Sequence, residues 1–355
     1  AMAAGGQAVF EVAPAGTAGE SLDGPLKELD WMVRLAAEID RPLSFAMVQT
    51  QSAPDLWRKQ LDIAGRALDD GIRVHPQFAA RPFGMLFGFA GYHAFTHRPT
   101  FRKLKAELDD RELGRRLADP GVRAAILAEA DLPPQPVPLF DSLFAFIQHS
   151  ADSIYAIGDP PDYEPTPDQT VGAIARSRGE DPLATMYDLM LESDGTAMLM
   201  LPFFNYVEGN HDAIHEMMTH PAAVSGLSDG GAHCGLICDA SYPTFLLTHW
   251  ARDRKRGPRF PLEYVVRKQT LDTASLFGLN DRGVLAVGKK ADVNVIDLDA
   301  LTLEVPRMAY DLPAGGRRLI QGASGYDATV VSGVITRRHG LDTGARPGTL
   351  LRGVR

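Results

Sequence analysis

The sequence predicts an α/β protein built on a parallel sheet, followed by a smaller β-rich region. Three observations carry that expectation. Short apolar runs such as Ala8–Val12, Leu43–Val48 and Ile72–Phe78 lack polar alternation, as strands buried on both faces should. Amphipathic helical periods separate them at βαβ spacing. Beyond Val284 the helical period gives way to strand and turn patterns.

Taken in order, Ala8–Val12 reads as a first strand. Pro25–Ile39 follows as a helix, with Leu26, Leu29, Met32, Val33 and Ala36 on one face. After the run Leu43–Val48, Asp55–Leu68 repeats the helical period through Leu56, Trp57, Leu61, Ala64 and Leu68, and Gly71 suits its C-terminal cap. Ile72–Phe78 is the third strand. The segment 84–138 breaks the rhythm with a Gly/Phe-rich stretch (Gly84–Phe95), a charged helix around Leu104–Leu117 and a Pro-rich exit, and it reads as an insertion or lid. The alternation is expected to resume with helices over Thr166–Arg178 and Pro182–Glu192, the apolar run Ala197–Phe204, a helix about Asp212–Thr219, and a short strand Ala223–Leu227. Ala291–Leu298 is a strand and Ala328–Thr336 a hairpin turning at Ser332-Gly333. A domain boundary near Arg282 divides 1–282 from 283–355.

Composition removes several function classes. The 45 acidic residues outnumber the 36 basic ones, giving a net charge of −9, which argues against a nucleic-acid partner. No apolar run is long enough to span a membrane, and Ala1–Phe10 lacks the basic start and apolar core of a signal peptide. The two cysteines, Cys234 and Cys238, cannot build a disulfide framework, so a cytoplasmic setting is expected. Their C-x-x-x-C spacing does not make a structural zinc site either.

Parallel-sheet enzymes present functional groups where strands end. Asp229, in Ser228-Asp229-Gly230-Gly231, falls at such an end, where a carboxylate can ligate a metal or move a proton. A turn-capping Asp is the other reading of the same four residues. Two further features bear on the choice. Gly283 to Asp297 carries G-x-L-x-x-G-x-x-A-D-x-x-x-x-D, and Arg267–Thr270 with Ala274–Gly278 precedes it. Together with Pro161–Leu191, these resemble the amidohydrolase superfamily, in particular its D-aminoacylase (N-acyl-D-amino-acid deacylase) branch.

The resemblance implies a metallo-dependent (β/α)8 barrel with a small β-sandwich domain, hydrolysing a small-molecule amide with one or two zinc ions. It aligns Asp229 with the strand-eight Asp, general base and metal ligand. Ala8–Val12 aligns with the fifth barrel strand, so 1–282 would hold strands five to eight. The H-x-H pair and the cysteine of the first strands would then come from an N-terminal segment of the same protein, and that segment or a second protomer would cover the open sheet edges.

Within the region covered, the residues depart from that pattern. Strands five and six of the family carry His, whereas Phe10-Glu11-Val12-Ala13 and Phe45-Ala46-Met47-Val48 carry none. Glu11 can supply an oxygen ligand instead. The arginine expected to pair with a substrate carboxylate falls at about Ala240, before Tyr242-Pro243-Thr244-Phe245. His233 and Tyr242 are candidates for substrate contact, the alternative for His233 being a loop histidine bonded to backbone. The missing histidines also motivate a different class of function, a non-catalytic barrel that binds a ligand or partner.

Two histidine pairs have i, i+4 spacing. His93 and His97 fall in the Gly/aromatic loop, and no Glu follows His93 to complete a zinc-protease motif. His211 and His215 are expected on a solvated helix face. Phe83, Phe87, Phe89, Tyr92 and Phe95 are expected either to wall a pocket or to pack a core.

Overall fold

The computed structural model describes residues 8–17, 19–133, 146–228, 230–231 and 233–351. Strand β1 (Phe10–Val12) leads to helix α1 (Gly24–Ile39), whose first turn contains Pro25 and whose inner face buries Leu29, Met32 and Ala36. Strand β2 (Leu43–Ala46) and helix α2 (Leu56–Asp69) repeat the unit, and α2 buries Trp57, Leu61 and Ala64. Gly71, at φ +78°, turns the chain into β3 (Val74–Phe78).

These strands pair in parallel in the order β1–β2–β3, with Glu11 opposite Ser44 and Leu43 opposite Val74. Side chains alternate across a strand. Leu43, Phe45, Val74 and Phe78 therefore join Leu29, Met32, Trp57 and Leu61 in one buried cluster, while Ser44, His75 and Gln77 point to the other face. Each fully buried large apolar side chain contributes about 1.5–3 kcal/mol, so this helix-side layer anchors the sheet.

Between β3 and the next parallel strand lies a second body of structure. Strands β4 (Phe83–Phe87), β5 (Tyr155–Ala156) and β6 (Leu199–Phe204) form an antiparallel sheet in the order β4–β6–β5. The expectation that Ala197–Phe204 continues the parallel alternation is thus corrected. A continuous apolar run records burial on both faces and says nothing of the direction its partners run. The charged stretch expected as one helix is two, α3 (Pro99–Glu107) and α4 (Asp110–Leu117). Leu108 leaves the helical region, and Asp109 caps α4 by accepting the Glu112 N–H at 2.9 Å.

Helix α5 (Pro120–Ala128) and the helices Val171–Arg178 and Pro182–Gly195 close over this sheet. Phe87, Phe89 and Phe95 are buried there with Leu113, Leu117, Met186 and Tyr187. For those three aromatics, core packing is the outcome.

Helix Asp212–Thr219 then leads to β7 (Val224–Ser225), which pairs in parallel with β3, Gln77 opposite Val224. After helices Leu262–Gln269 and Leu271–Leu276 the chain turns to β structure. Its largest sheet joins β8 (Val293–Ile296), β9 (Tyr326–Val331), β10 (Val334–Arg338) and β11 (Leu341–Asp342) in antiparallel fashion. The β9–β10 hairpin turns at Ser332 and Gly333, both at positive φ, as a two-residue turn demands.

Candidate functional site

Strands β1, β2, β3 and β7 lie side by side, and a polar network joins the first three. Gln77 donates from Nε2 to Glu11 Oε1 at 3.0 Å and to Ser44 Oγ at 2.8 Å. Ser44 and Gln77 are buried, while Glu11 is exposed. Gly226, just past β7, makes room for this network: a Cβ there would stand 2.3 Å from Gln77 Oε1 and 3.0 Å from its Cβ. Glu11 is accordingly an oriented, accessible carboxylate at the edge where parallel-sheet enzymes work.

Leu227, at φ +59°, leads from this edge into the loop that contains Asp229. Asp229 lies outside the described residues. A Cβ on Gly230 would be 3.8 Å from that of Ala240, so the position where the family's arginine was expected borders the same loop. His233 is exposed at φ +50°, and its carbonyl accepts the N–H groups of Leu236 and Ile237 at 2.8 and 2.9 Å. Tyr242 begins the short helix Tyr242–Phe245 and is only 1% exposed. Burial and nearby Asp239 push its hydroxyl well above the ordinary tyrosine range.

Tyr242 belongs to a buried cluster around Arg81, which sequence reading missed. Arg81 is fully buried just past β3, its guanidinium 3.6 Å from the Tyr163 ring centre and 5.0 Å from that of Tyr242. Its Nη2 donates to the Cys238 carbonyl at 2.7 Å and reaches Asp239 at 3.4 Å. Its Nε and Nη1 have no hydrogen-bond partner among the described residues. Aromatic faces and one carboxylate thus offset the cost of burying the cation. Burial raises the Tyr163 hydroxyl to about 12 and the Cys238 thiol to about 11, with Arg81 opposing both shifts. A lone charged residue inside the apolar stretch from Val74 to Phe89 was the available signal.

The group of metal-capable donors lies elsewhere, on residues the sequence did not single out together. His211, expected on a wet helix face, is fully buried at the start of helix Asp212–Thr219. His215 stacks on Phe260 with ring centres 4.4 Å apart. The correction has a simple cause: periodicity locates a helix but not the residue at its cap, and His211 is pulled inward by polar partners. Its Nε2 meets the Tyr163 carbonyl at 2.8 Å, and its Nδ1 lies 3.0 Å from His249 Nε2 and 3.7 Å from Glu164 Oε2. His249 Nε2 is 3.3 Å from the same Glu164 oxygen. Because a carbonyl only accepts, His211 carries its hydrogen on Nε2, and His249 Nε2 donates to the free Nδ1 lone pair. Burial, reinforced by His249, keeps His211 neutral by lowering its pKa well below the usual value.

Arg254, fully buried, also holds Glu164, with Nη2 3.1 Å from Oε1 and Nε 3.3 Å from Oε2. Nη2 also reaches Asp212 at 2.7 Å. Burial alone would raise the Glu164 pKa. The His249 Nε2 hydrogen, shared between His211 and this carboxylate, and hydrogen bonds from Arg254 and the His211 backbone N–H outweigh it, and the carboxyl stays ionised far below its normal range.

Tested against the zinc chemistry expected from the sequence, the two places differ. At the sheet edge the described residues supply one suitable ligand, Glu11, with no His or Cys beside it, so no ion is held there by described residues alone. Glu164, His211 and His249 form the one group of three His, Cys or carboxylate donors within 4.8 Å of one another among the described residues. Cys234 and Cys238 are free and are not in it.

Comparisons with known proteins place the chain in context. No curated protein matches the sequence. Among solved structures, it is similar to a D-aminoacylase variant in complex with copper chloride, at a TM-score of 0.50 and 16% identity, covering 97% of this chain and 56% of that one. It is also similar to N-acyl-D-glutamate deacylase from Bordetella bronchiseptica, complexed with zinc and a phosphonate inhibitor, at a TM-score of 0.46 and 18% identity, covering 93% and 54%. The chain thus spans about half the length of the solved structures it matches. The family comparison reaches further, because the amidohydrolase profile matches residues 1–337. On that match the chain belongs to the amidohydrolase family.

Proposed function

We propose that this chain is part of a metal-dependent hydrolase of non-peptide C–N bonds, acting on the amide of an N-acyl amino acid or a related small molecule. The observation that carries the reading is the family match over residues 1–337. It counts against a purely ligand-binding barrel. In this reading β1, β2, β3 and β7 are strands five to eight of a (β/α)8 barrel within 1–282, 84–138 is an insertion or lid, and 283–355 is a small β-sandwich domain. Strands β1 and β7 end the four-stranded sheet; an N-terminal segment of the same protein or a second protomer covers those edges, and the N-terminal segment supplies the remaining ligands.

A zinc ion held there by Asp229, Glu11 and the N-terminal ligands would polarise the amide carbonyl and acidify water. The chain's own residues do the rest. Asp229 takes the proton of the attacking water and delivers it to the leaving nitrogen. Glu11, held by Gln77, provides an oxygen ligand and a fixed negative charge at the sheet edge. His233 and Tyr242 border the loop that meets the substrate. Ala240 cannot make the bidentate contact that a guanidinium gives a carboxylate, so the reading leaves the acyl and amino-acid groups open. Both cysteines are free, and no described helix is long and apolar enough to cross a membrane. We place the protein in the cytoplasm on the cysteines alone.

The test is an assay of the longest expressible form, with and without added Zn²⁺, against N-acyl amino acids, cyclic amides and carbamates. Asp229→Asn is expected to lower turnover by about 10²-fold or more, the usual contribution of a general acid–base group. Turnover at the wild-type rate in that variant removes Asp229 from the mechanism.

A further inference from the structure

We infer that Glu164, His211 and His249 form a buried binding site for a single zinc-class divalent cation, separate in its residues from the sheet edge. Four observations support it.

The first is spacing. The three donor atoms stand 3.0, 3.3 and 3.7 Å apart. Ligands bonded at about 2.0–2.1 Å around tetrahedral zinc stand about 3.3 Å from one another, so an ion fits among these atoms with little movement. The second is orientation. The Nε2 hydrogen bond from His211 to the Tyr163 carbonyl fixes the tautomer that turns the Nδ1 lone pair inward, as ligating histidines are usually fixed by an outer partner. His249 Nε2 contributes its own lone pair once its hydrogen moves to Nδ1. The ring stays neutral, and binding requires no net proton release from it.

Charge is the third. Asp212 offsets Arg254 at 2.7 Å, which leaves the Glu164 charge for the ion. Ion and carboxylate then sum to one positive charge, as in an ordinary set of two histidines and one carboxylate. Arg254 hydrogen-bonds both oxygens of Glu164 and acts as an outer partner that orients the carboxylate. The fourth is backbone form. His249 sits in a π-helical segment, Leu246–Asp253, a rare conformation that tends to mark functional positions. Its side chain is 14% exposed while those of Glu164 and His211 are at most 4% exposed, so His249 is the ligand nearest to solvent.

The consequence is mechanical. An ion here ties the Tyr163–Glu164 loop, the start of helix Asp212–Thr219 and the π-helical turn together. Tyr163 and Phe245, which flank Arg81 at the end of β3, belong to the joined segments. The site stands independently of the hydrolase reading, since it shares no residue with it.

The experiment is Co²⁺ titration of the chelator-treated full chain, read by visible absorption and by thermal unfolding. Wild type is expected to bind one equivalent with the intense bands of four-coordinate Co²⁺ and to gain thermal stability. His249→Gln, a change at the most exposed ligand, should weaken binding at least 10-fold and lose the thermal gain. Asp229→Asn should keep both. Absent bands in wild type, or unchanged bands in His249→Gln, overturn the proposal. Bands lost in Asp229→Asn also overturn it, by placing the ion at the sheet edge. If His249→Gln does not fold, zinc-edge X-ray absorption of the wild type decides: two imidazoles per ion are expected, and one or none refutes the site. Loss of amide hydrolysis in Asp229→Asn with retained bands separates the two readings.

Discussion

Acid should destabilise this protein through His93, and the size of the effect follows from its surroundings. The ring is fully buried, edge-on to Phe101 at 4.2 Å and 5.1 Å from Phe89. Its Nδ1 accepts the Phe95 N–H at 3.1 Å, so the neutral ring carries its hydrogen on Nε2, which has no partner among the described residues. A second proton would have to sit on Nδ1, facing a donor. Burial, helped by Lys105 and Arg317, lowers the pKa from 6.5 to about 3. The unfolded chain therefore gains a proton near pH 6.5 and the folded one only near 3, so stability falls as pH drops through that window. At about 1.4 kcal/mol per pH unit, roughly 2 kcal/mol is lost by pH 5.

His93→Asn keeps an acceptor near the Nδ1 position and does not titrate there. It loses ring packing equally at both pH values. Urea unfolding of both proteins at pH 7 and pH 5 is the assay. The pH-dependent loss should be smaller in the variant by roughly 2 kcal/mol. Losses equal to within about 0.5 kcal/mol would refute the assignment of a neutral, buried His93.

Other expectations follow from the same geometry. In chelator-treated protein, Glu164→Gln leaves Arg254 buried with only Asp212 as a charged partner, and should cost about 3 kcal/mol. A double-mutant cycle with Arg254→Met tests this by chemical unfolding, and additivity within about 0.5 kcal/mol would remove the coupling. Because the Glu164 carboxyl is held below its normal range, its contribution is intact above about pH 4.5 and lost as pH falls further. Gly226→Ala must push Gln77 from Ser44 and Glu11. It is expected to destabilise by about 1–3 kcal/mol and to lower any amide hydrolysis, whereas an unchanged unfolding midpoint would show that the sheet edge tolerates the methyl group.

Local pattern was enough to place β1, α1, β2, α2, β3 and the β9–β10 hairpin, because each is written in contiguous residues: an apolar run, a helical stripe, a two-residue turn. It was enough too for the family, since the Gly283–Asp297 stretch and Pro161–Leu191 keep recognisable spacing. Other features depended on residues far apart in the chain. The run Leu199–Phe204 takes antiparallel partners 43 or more positions away, Tyr155–Ala156 and the β4 strand, and apolarity carries no direction. The charged run splits at Leu108–Asp109 because one cap competes with helix continuation.

The sequence by itself determined the mixed α/β kind of fold, the acidic charge balance and a carboxylate at Glu11 on the first strand. Only tertiary structure decided that Gln77 holds that carboxylate, that Arg81 is enclosed by Tyr163 and Tyr242, and that Glu164, His211 and His249 converge. The reason is physical. Helical and strand periods report which residues face inward, over a few turns at a time. A buried polar constellation is assembled across 85 positions, from 164 to 249, by hydrogen bonds whose partners no period encodes.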